Sequence, residues 1–243
     1  MGLETSASSI NRVIIVALVL SGAAFALLVV CRLLLFQPFS MPSASMQPTL
    51  EIGDYFVVEK PPLIGSPRRG DIVVFRLPAS GKVDFVKRLI GLPGDRVQLK
   101  SGQLYINDKA VAETSLGTGT GDLPAGPGPV KLQQEVLPDG RSYEIELSTG
   151  LEAFGDTGVY VVPPHCYFML GDNRDDSLDS RFDPGLSPGD PKLGGCGWNV
   201  ALDDKVGVEP GVGFVPEADL VGRAQFVVFS LSGRPGRTFK VLH

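Results

Sequence analysis

Residues 13–31 (VIIVALVLSGAAFALLVVC) form a run of 19 without a charge. At ~1.5 Å per residue, about 20 helical residues cross a ~30 Å hydrocarbon core, so the run is long enough to span a membrane. Arg32 interrupts it and 33–36 (LLLF) extends it; an arginine near a helix end can snorkel to the headgroups. Pro38 then discourages further helix. A cleaved signal peptide is the competing reading, with Ala24-Phe25-Ala26 as a small-x-small site. The apolar run continues well past that site, unlike the core of a signal peptide, which favours an uncleaved single-pass anchor over 13–36. Arg12 and Arg32 flank the span, so charge bias does not orient it.

The rest of the chain reads as a β protein. With 43% hydrophobic residues a packed core is within reach, and Gly 30 and Pro 20 supply frequent turns. Short runs rich in Val, Ile, Phe and Tyr recur at 54–60, 71–77, 83–90, 95–100, 103–107, 142–147, 159–162, 166–170 and 224–231. Each has strand length and is bounded by turn residues. Two stretches look different. Residues 114–129 (TSLGTGTGDLPAGPGP) read as a mobile loop. Residues 184–216, with the single tryptophan Trp198, read as a surface insertion. Net charge is −5 with no basic run, which argues against nucleic acid as a partner. Cys166 and Cys196 are either a disulfide, in an oxidising compartment, or two free thiols. No CxxC or Cys/His cluster suggests a metal.

Three segments stand out: 41–50 (MPSASMQPTL); 69–75 (RGDIVVF) with 85–95 (FVKRLIGLPGD); and 171–181 (GDNRDDSLDSR). Singly they have ordinary explanations: a linker after a helix, a solvated edge lysine, a loop of surface ion pairs. An EF-hand is excluded for the third, which lacks the central Gly and terminal Glu.

In this order the segments resemble bacterial type I signal peptidases (leader peptidases), whose pattern is PSxSMxPTL after an anchor, RGDIVVF, KRxxGLPGD and GDNRDNSxDSR. The resemblance implies a mainly β fold: a coiled antiparallel β-sheet catalytic core (about 40–94, 165–183 and 217–235), a smaller β-rich subdomain (about 95–164) and the Gly/Pro-rich insertion. It implies a serine endopeptidase with a Ser–Lys dyad and no cofactor. That enzyme removes signal peptides from exported preproteins after a small-x-small motif. It also implies a cytoplasmic tail (1–12) and a 37–243 domain on the periplasmic side of the bacterial inner membrane, in possible association with the export machinery. Carried over residue by residue, Ser45 is the nucleophile and Lys87 the general base. Ser43 and the Ser45 N–H form the oxyanion hole, and Ser177 orients Lys87. Asp179 and Arg181 form a supporting ion pair. Gly171 keeps the backbone close, and Asp172 pairs with Arg88.

Elementary chemistry agrees with these roles. A serine needs an adjacent base, and the only histidines are His165 and the terminal His243. A free lysine is neutral in fewer than about one molecule in a thousand at pH 7; burial can lower its pKa by up to ~3–5 units. Strand alternation puts Phe85, Lys87 and Leu89 on one face and Val86, Arg88 and Ile90 on the other. The base and its ion-pairing neighbour thus point apart. Nine residues from Phe36 to Ser45 reach at most about 30 Å, so the serine works close to the bilayer. Phe36, Phe39 and Met41 either dip into the interface or pack on the domain. Substrate is expected to bind as an added strand. One departure is Asp176, where the family has Asn; facing the site it would raise the pKa of Lys87, but it is expected to face solvent. The alternatives are a specialised pilus or conjugation processing peptidase, and an inactive tethered β-domain that binds exported chains.

Overall fold

The computed structural model describes residues 4–61, 65–123, 126–149, 155–187, 189–197 and 211–242, with backbone alone for 4–11, 31–33 and 123. Trp198, His243 and the side chain of Arg32 lie outside the described residues.

Helix α1 (Glu4–Leu35) holds the apolar span, Arg12–Val30, with mean hydropathy 3.0 and none of it buried against the domain. It is long and apolar enough to cross a membrane. The chain passes from it directly into strand β1 (Phe36–Ser40), so Phe36 opens the sheet instead of closing the helix. Pro38 is tolerated because β1 is an edge strand, where a missing N–H can face outward.

The main sheet has seven antiparallel strands. Besides β1 these are β2 (Asp54–Glu59), β3 (Ile72–Arg76), β4 (Asp84–Gly91), β12 (Cys166–Leu170), β13 (Val215–Pro216) and β14 (Leu220–Ser230), in the order β1-β2-β14-β3-β4-β12-β13. Register shifts in β14 after Ala224 and after Val227 bend this long strand, since a bulge adds local twist. Alternation works as expected: Ile72 and Val74 join Met46, Leu50, Phe56 and Val58 on one face, while Val73, Phe75, Leu89 and Met169 pack on the other. Phe39 stacks on Phe56 with ring centroids 6.1 Å apart, and Met41 is buried. Both therefore pack on the domain.

A second sheet, β11-β5-β6-β7, comprises β5 (Arg96–Lys100), β6 (Gln103–Ile106), β7 (Lys109–Ala110) and β11 (Tyr160–Val161). The β5–β6 connection is the two-residue turn Ser101-Gly102, both at positive φ (50° and 83°), as a tight hairpin requires. A third, β10-β9-β8, comprises β8 (Ala112–Leu123), β9 (Gly126–Val136) and β10 (Ser142–Ser148). A shared core, with Val97, Leu104, Ile145, Tyr160 and Phe168, joins both small sheets to β12.

Two expectations are corrected. The described residues of 114–129 are not a loop: 114–123 and 126–129 lie in strands β8 and β9, which pair from Ala112↔Val136 to Leu123↔Gly126. Of the glycines in this stretch, Gly121 makes room for a neighbour, since a Cβ there would meet the Glu146 carboxyl. Nor is the 184–216 stretch wholly superficial. Leu193, Cys196, Val212, Phe214 and Val215 are buried, and β13 pairs with β12. Gly211 lets its backbone approach Phe182, where a Cβ would lie 2.2 Å from the Phe182 Cβ. Cys166 and Cys196 form a disulfide that ties the stretch to β12.

The disulfide closes a loop with a sequence separation of 30. Replacing both cysteines by serine is expected to lower the unfolding free energy by about 2–4 kcal/mol in urea denaturation.

Candidate active site

The segment after β1 is held at both ends. Met41 N–H donates to Asp54 O (2.8 Å) and Gly53 N–H to Met41 O (2.9 Å). Met41, Met46 and Leu50 enter the core beside Phe56 and Val58. Between these apolar pegs the chain turns, with Gln47 N–H donating to Ala44 O (2.9 Å) and Leu50 N–H to Met46 O (2.8 Å). Ser45 lies buried on this turn and Ser43 exposed beside it, their Oγ atoms 3.3 Å apart.

Lys87 extends from β4, only 3% exposed, and its Nζ is 2.7 Å from Ser45 Oγ. Burial is the main cause that brings its pKa down to about 8. The charges of Asp179 and Asp172 oppose that fall, Arg181 assists it, and Asp176 opposes it. The Phe85 ring lies 5.4 Å from Nζ on the same strand face. A buried amine with a pKa near 8 is a usable base close to neutral pH.

The segment after β12 wraps this pair. Asn173 N–H donates to Ser45 O (3.2 Å). A Cβ on Gly171 would sit 2.5 Å from Ser45 O and 2.1 Å from Ser177 Oγ, so only glycine fits. Asp179 takes both Arg181 Nε (2.8 Å) and Nη2 (2.9 Å), and also the Gly171 N–H (3.0 Å). Burial raises the pKa of Asp179, but Arg181, the Gly171 N–H and the charge of Lys87 together outweigh it and the carboxyl stays below its ordinary range. Asp172 receives Arg88 Nε and Nη2, each at 2.7 Å, and the Thr49 hydroxyl. Thr49 belongs to the same turn as Ser45, so this pair joins β4 to it.

Of the expected residues, Ser43, Ser45, Lys87, Arg88, Gly171, Asp172, Asp179 and Arg181 converge here. Ser177 Oγ is buried beside Gly171 but makes no hydrogen bond, so the expected bond to Lys87 is not formed. The Lys87 amine contacts Ser45 instead. Asp176 is half-buried, not solvent-facing; burial raises its pKa and the charge of Lys87 lowers it. His165 is exposed at the surface against Glu217.

Sequence reasoning missed a second layer. Arg174 Nη2 pairs with Glu135 (2.6 Å), Glu135 accepts from the Tyr143 hydroxyl, and Arg88 stacks 4.1 Å over the Tyr143 ring. Arg174 Nε donates to Gly171 O (3.0 Å). Glu135 and Tyr143 come from the third sheet, and no spacing in the sequence links them to Arg174. Gln47, Asp122 and Glu146 were also missed.

The family model described as "Signal peptidase, peptidase S26" matches residues 12–229. Signal peptidase I of Pseudomonas aeruginosa is 36% identical over 212 residues, which cover 82% of this chain and 66% of that protein. Signal peptidase I of Rickettsia typhi is 36% identical over 228 residues, which cover 83% of this chain and 75% of that protein. The chain thus spans just under two thirds of the first relative and three quarters of the second. A crystal structure of a signal peptidase I from Enterococcus faecalis is 24% identical and covers 65% of this chain and 96% of that one, with TM-score 0.33; at that score the likeness carries no weight.

Asp172→Ala leaves the buried Arg88 without its carboxylate. It is expected to lower the unfolding free energy by about 3–5 kcal/mol, read by urea denaturation.

Proposed function

The chain belongs to the signal peptidase family, peptidase S26, and on that footing we propose that it is a membrane-anchored serine endopeptidase. Its substrates are exported preproteins, from which it removes N-terminal signal peptides after a small-x-small motif. The observation that carries this reading is the 2.7 Å contact between the buried Lys87 amine and Ser45 Oγ, in a setting that lowers the lysine pKa to about 8.

In the proposed reaction neutral Lys87 accepts the Ser45 hydroxyl proton as Oγ attacks the scissile carbonyl. Ser43 Oγ–H and the Ser45 N–H donate to the oxyanion. Such donors are worth roughly 10²–10³ in turnover each. Collapse of the tetrahedral adduct breaks the C–N bond, and Lys87 returns the proton to the leaving amine. Lys87 then takes a proton from water, whose oxygen attacks the ester, and delivers it to Ser45 as the acid product leaves. Ser177 lines the lysine pocket and Gly171 keeps it tight. Arg88–Asp172 and Asp179–Arg181 hold the two backbone segments together. Helix α1 anchors the enzyme in the bacterial inner membrane with the β domain on the extracytoplasmic side, where preproteins emerge from the export machinery.

Cleavage of a preprotein with an Ala-x-Ala site, in detergent, tests this directly. Wild type is expected to cut after the motif, with Ser45→Ala and Lys87→Ala inactive. Survival of activity in Lys87→Ala would remove lysine as the base. Because only the neutral amine accepts a proton, kcat/KM should rise about tenfold per pH unit below the lysine pKa and level off above it.

The same shift predicts a stability effect of known sign. Lys87 binds its proton less well folded than unfolded, so folding is penalised below pH 8, and the penalty disappears as pH rises from about 8 to the unfolded value of 10.5. Lys87→Met, which keeps an apolar stem, is expected to be inactive yet to melt at a higher temperature than wild type at pH 7. That gain should shrink above pH 8.

A further inference from the structure

The β8–β9 hairpin is anchored to β10 on one side only, because β8 is an edge strand. Its far end meets the nucleophile turn through polar contacts. Gln47, two residues after Ser45 and 1% exposed, donates from Nε2 to Asp122 Oδ2 (2.8 Å) and to Glu51 Oε2 (2.8 Å). Asp122 N–H donates back to Gln47 Oε1 (3.4 Å). Asn173, whose N–H holds Ser45 O, donates from Nδ2 to Asp122 O (3.4 Å). Asp122 therefore reaches Ser45 by two routes, one through the turn itself and one through the segment after β12.

The neighbouring residue completes the seat. Gly121 leaves a space filled by the carboxyl of Glu146, since a Cβ there would lie 1.5 Å from Oε1. Glu146 is 3% exposed and its Oε1 has no hydrogen-bond partner. Its pKa is pushed up to about 7, first by burial and then by Glu51, with Asp122 and Asp176 adding and Arg234 opposing. Two carboxylates accepting from one amide nitrogen, with the charge of a third felt nearby, are a poor way to stabilise a hairpin. The arrangement does give the buried Gln47 amide a partner for each polar atom, and so a single orientation.

We propose that Asp122 is a positioning residue for Ser45: the hairpin tip grips Gln47 and Asn173 and so holds the nucleophile turn in the geometry that places Ser45 Oγ on Lys87. The proposal rests on the Ser–Lys reading above. It assigns the 112–136 hairpin a part in the chemistry although none of its described residues touches the reacting atoms.

The test uses the full chain in detergent and compares wild type, Asp122→Ala, Asp122→Asn and Gly121→Ala. The readouts are kcat and KM on the Ala-x-Ala preprotein, acylation of Ser45 by a small activated-ester probe, and amide hydrogen exchange across 43–50. Misplacing a nucleophile by a fraction of an ångström lowers turnover, so Asp122→Ala should lose about tenfold or more in kcat and in acylation rate with KM unchanged. Asp122→Asn still accepts from Gln47 and should restore most of that loss. Gly121→Ala, which displaces the Glu146 carboxyl, should resemble Asp122→Ala, and exchange across 43–50 should quicken in both. Unaltered kcat in Asp122→Ala would overturn the proposal, as would a rise in KM alone, which would make the tip a substrate-binding wall. Should Asp122→Ala fail to fold, Asp122→Asn and Gly121→Ala decide the matter by the same criteria. If wild type neither cleaves nor acylates, the Ser–Lys reading fails by itself. Exchange then judges the grip alone: unchanged protection of 43–50 in the variants overturns it.

Discussion

Three guanidinium–carboxylate pairs with side chains no more than 2% exposed organise this molecule: Arg88–Asp172, Arg174–Glu135 and Arg181–Asp179. Removing such charges from water costs several kcal/mol per ion, recovered only when geometry and further hydrogen bonds are good. Here each arginine also donates to a backbone carbonyl: Arg88 to Gly70 O, Arg174 to Gly171 O and Arg181 to Arg174 O. The pairs thereby fix the path of the segment after β12. They also settle the electrostatics of the buried Lys87. Asp172 and Asp179 would hold Lys87 protonated, and each has a guanidinium bound to it. Burial then prevails over the remaining attraction.

The parts of the fold that were legible are those where side chains alternate against a core. Every short run named as a strand from the sequence overlaps one, and the face assignments of Lys87 and Arg88 match the contacts each makes. The β8–β9 hairpin escaped because its ladder is made by backbone, and its composition signals turns. Pro127 and Pro129 misled for a definable reason. The ladder of β10 with β9 starts only at Val130, and beside it Thr149 donates to the Pro129 carbonyl, a contact that needs no N–H from the proline. Strand β13 was hidden by its length of two residues.

The site divides in the same way. Ser45, Lys87 and the segment after β12 were legible because compact boxes carry them. Glu135, Tyr143 and Asp122 come from strands without any motif, and only the packing of the third sheet against the first brings them near. Asp176 shows the limit of local reading: a carboxylate in a run of polar residues suggests solvent, but the segment curls back toward Lys87, and the two charges feel one another. Ser177 is the converse case, close in sequence to everything it should touch yet without a hydrogen bond.

The junction between α1 and β1 has no slack. Lys60 N–H donates to Leu35 O (2.8 Å), β1 pairs with β2 along its whole length, and Met41 is bonded to Asp54 and Gly53 before the turn to Ser45 begins. No residue between the helix end and Ser40 is free to act as a swivel. In the proposed orientation the serine would stand at a set height above the anchor, and a protein that cleaves as proposed would be a ruler as well as a pair of scissors. A preprotein would then be measured from its own membrane-embedded segment outward, and the bond at the right height cut. Two identical small-x-small sequences at different distances from that segment would then be unequal substrates, distinguished by length alone.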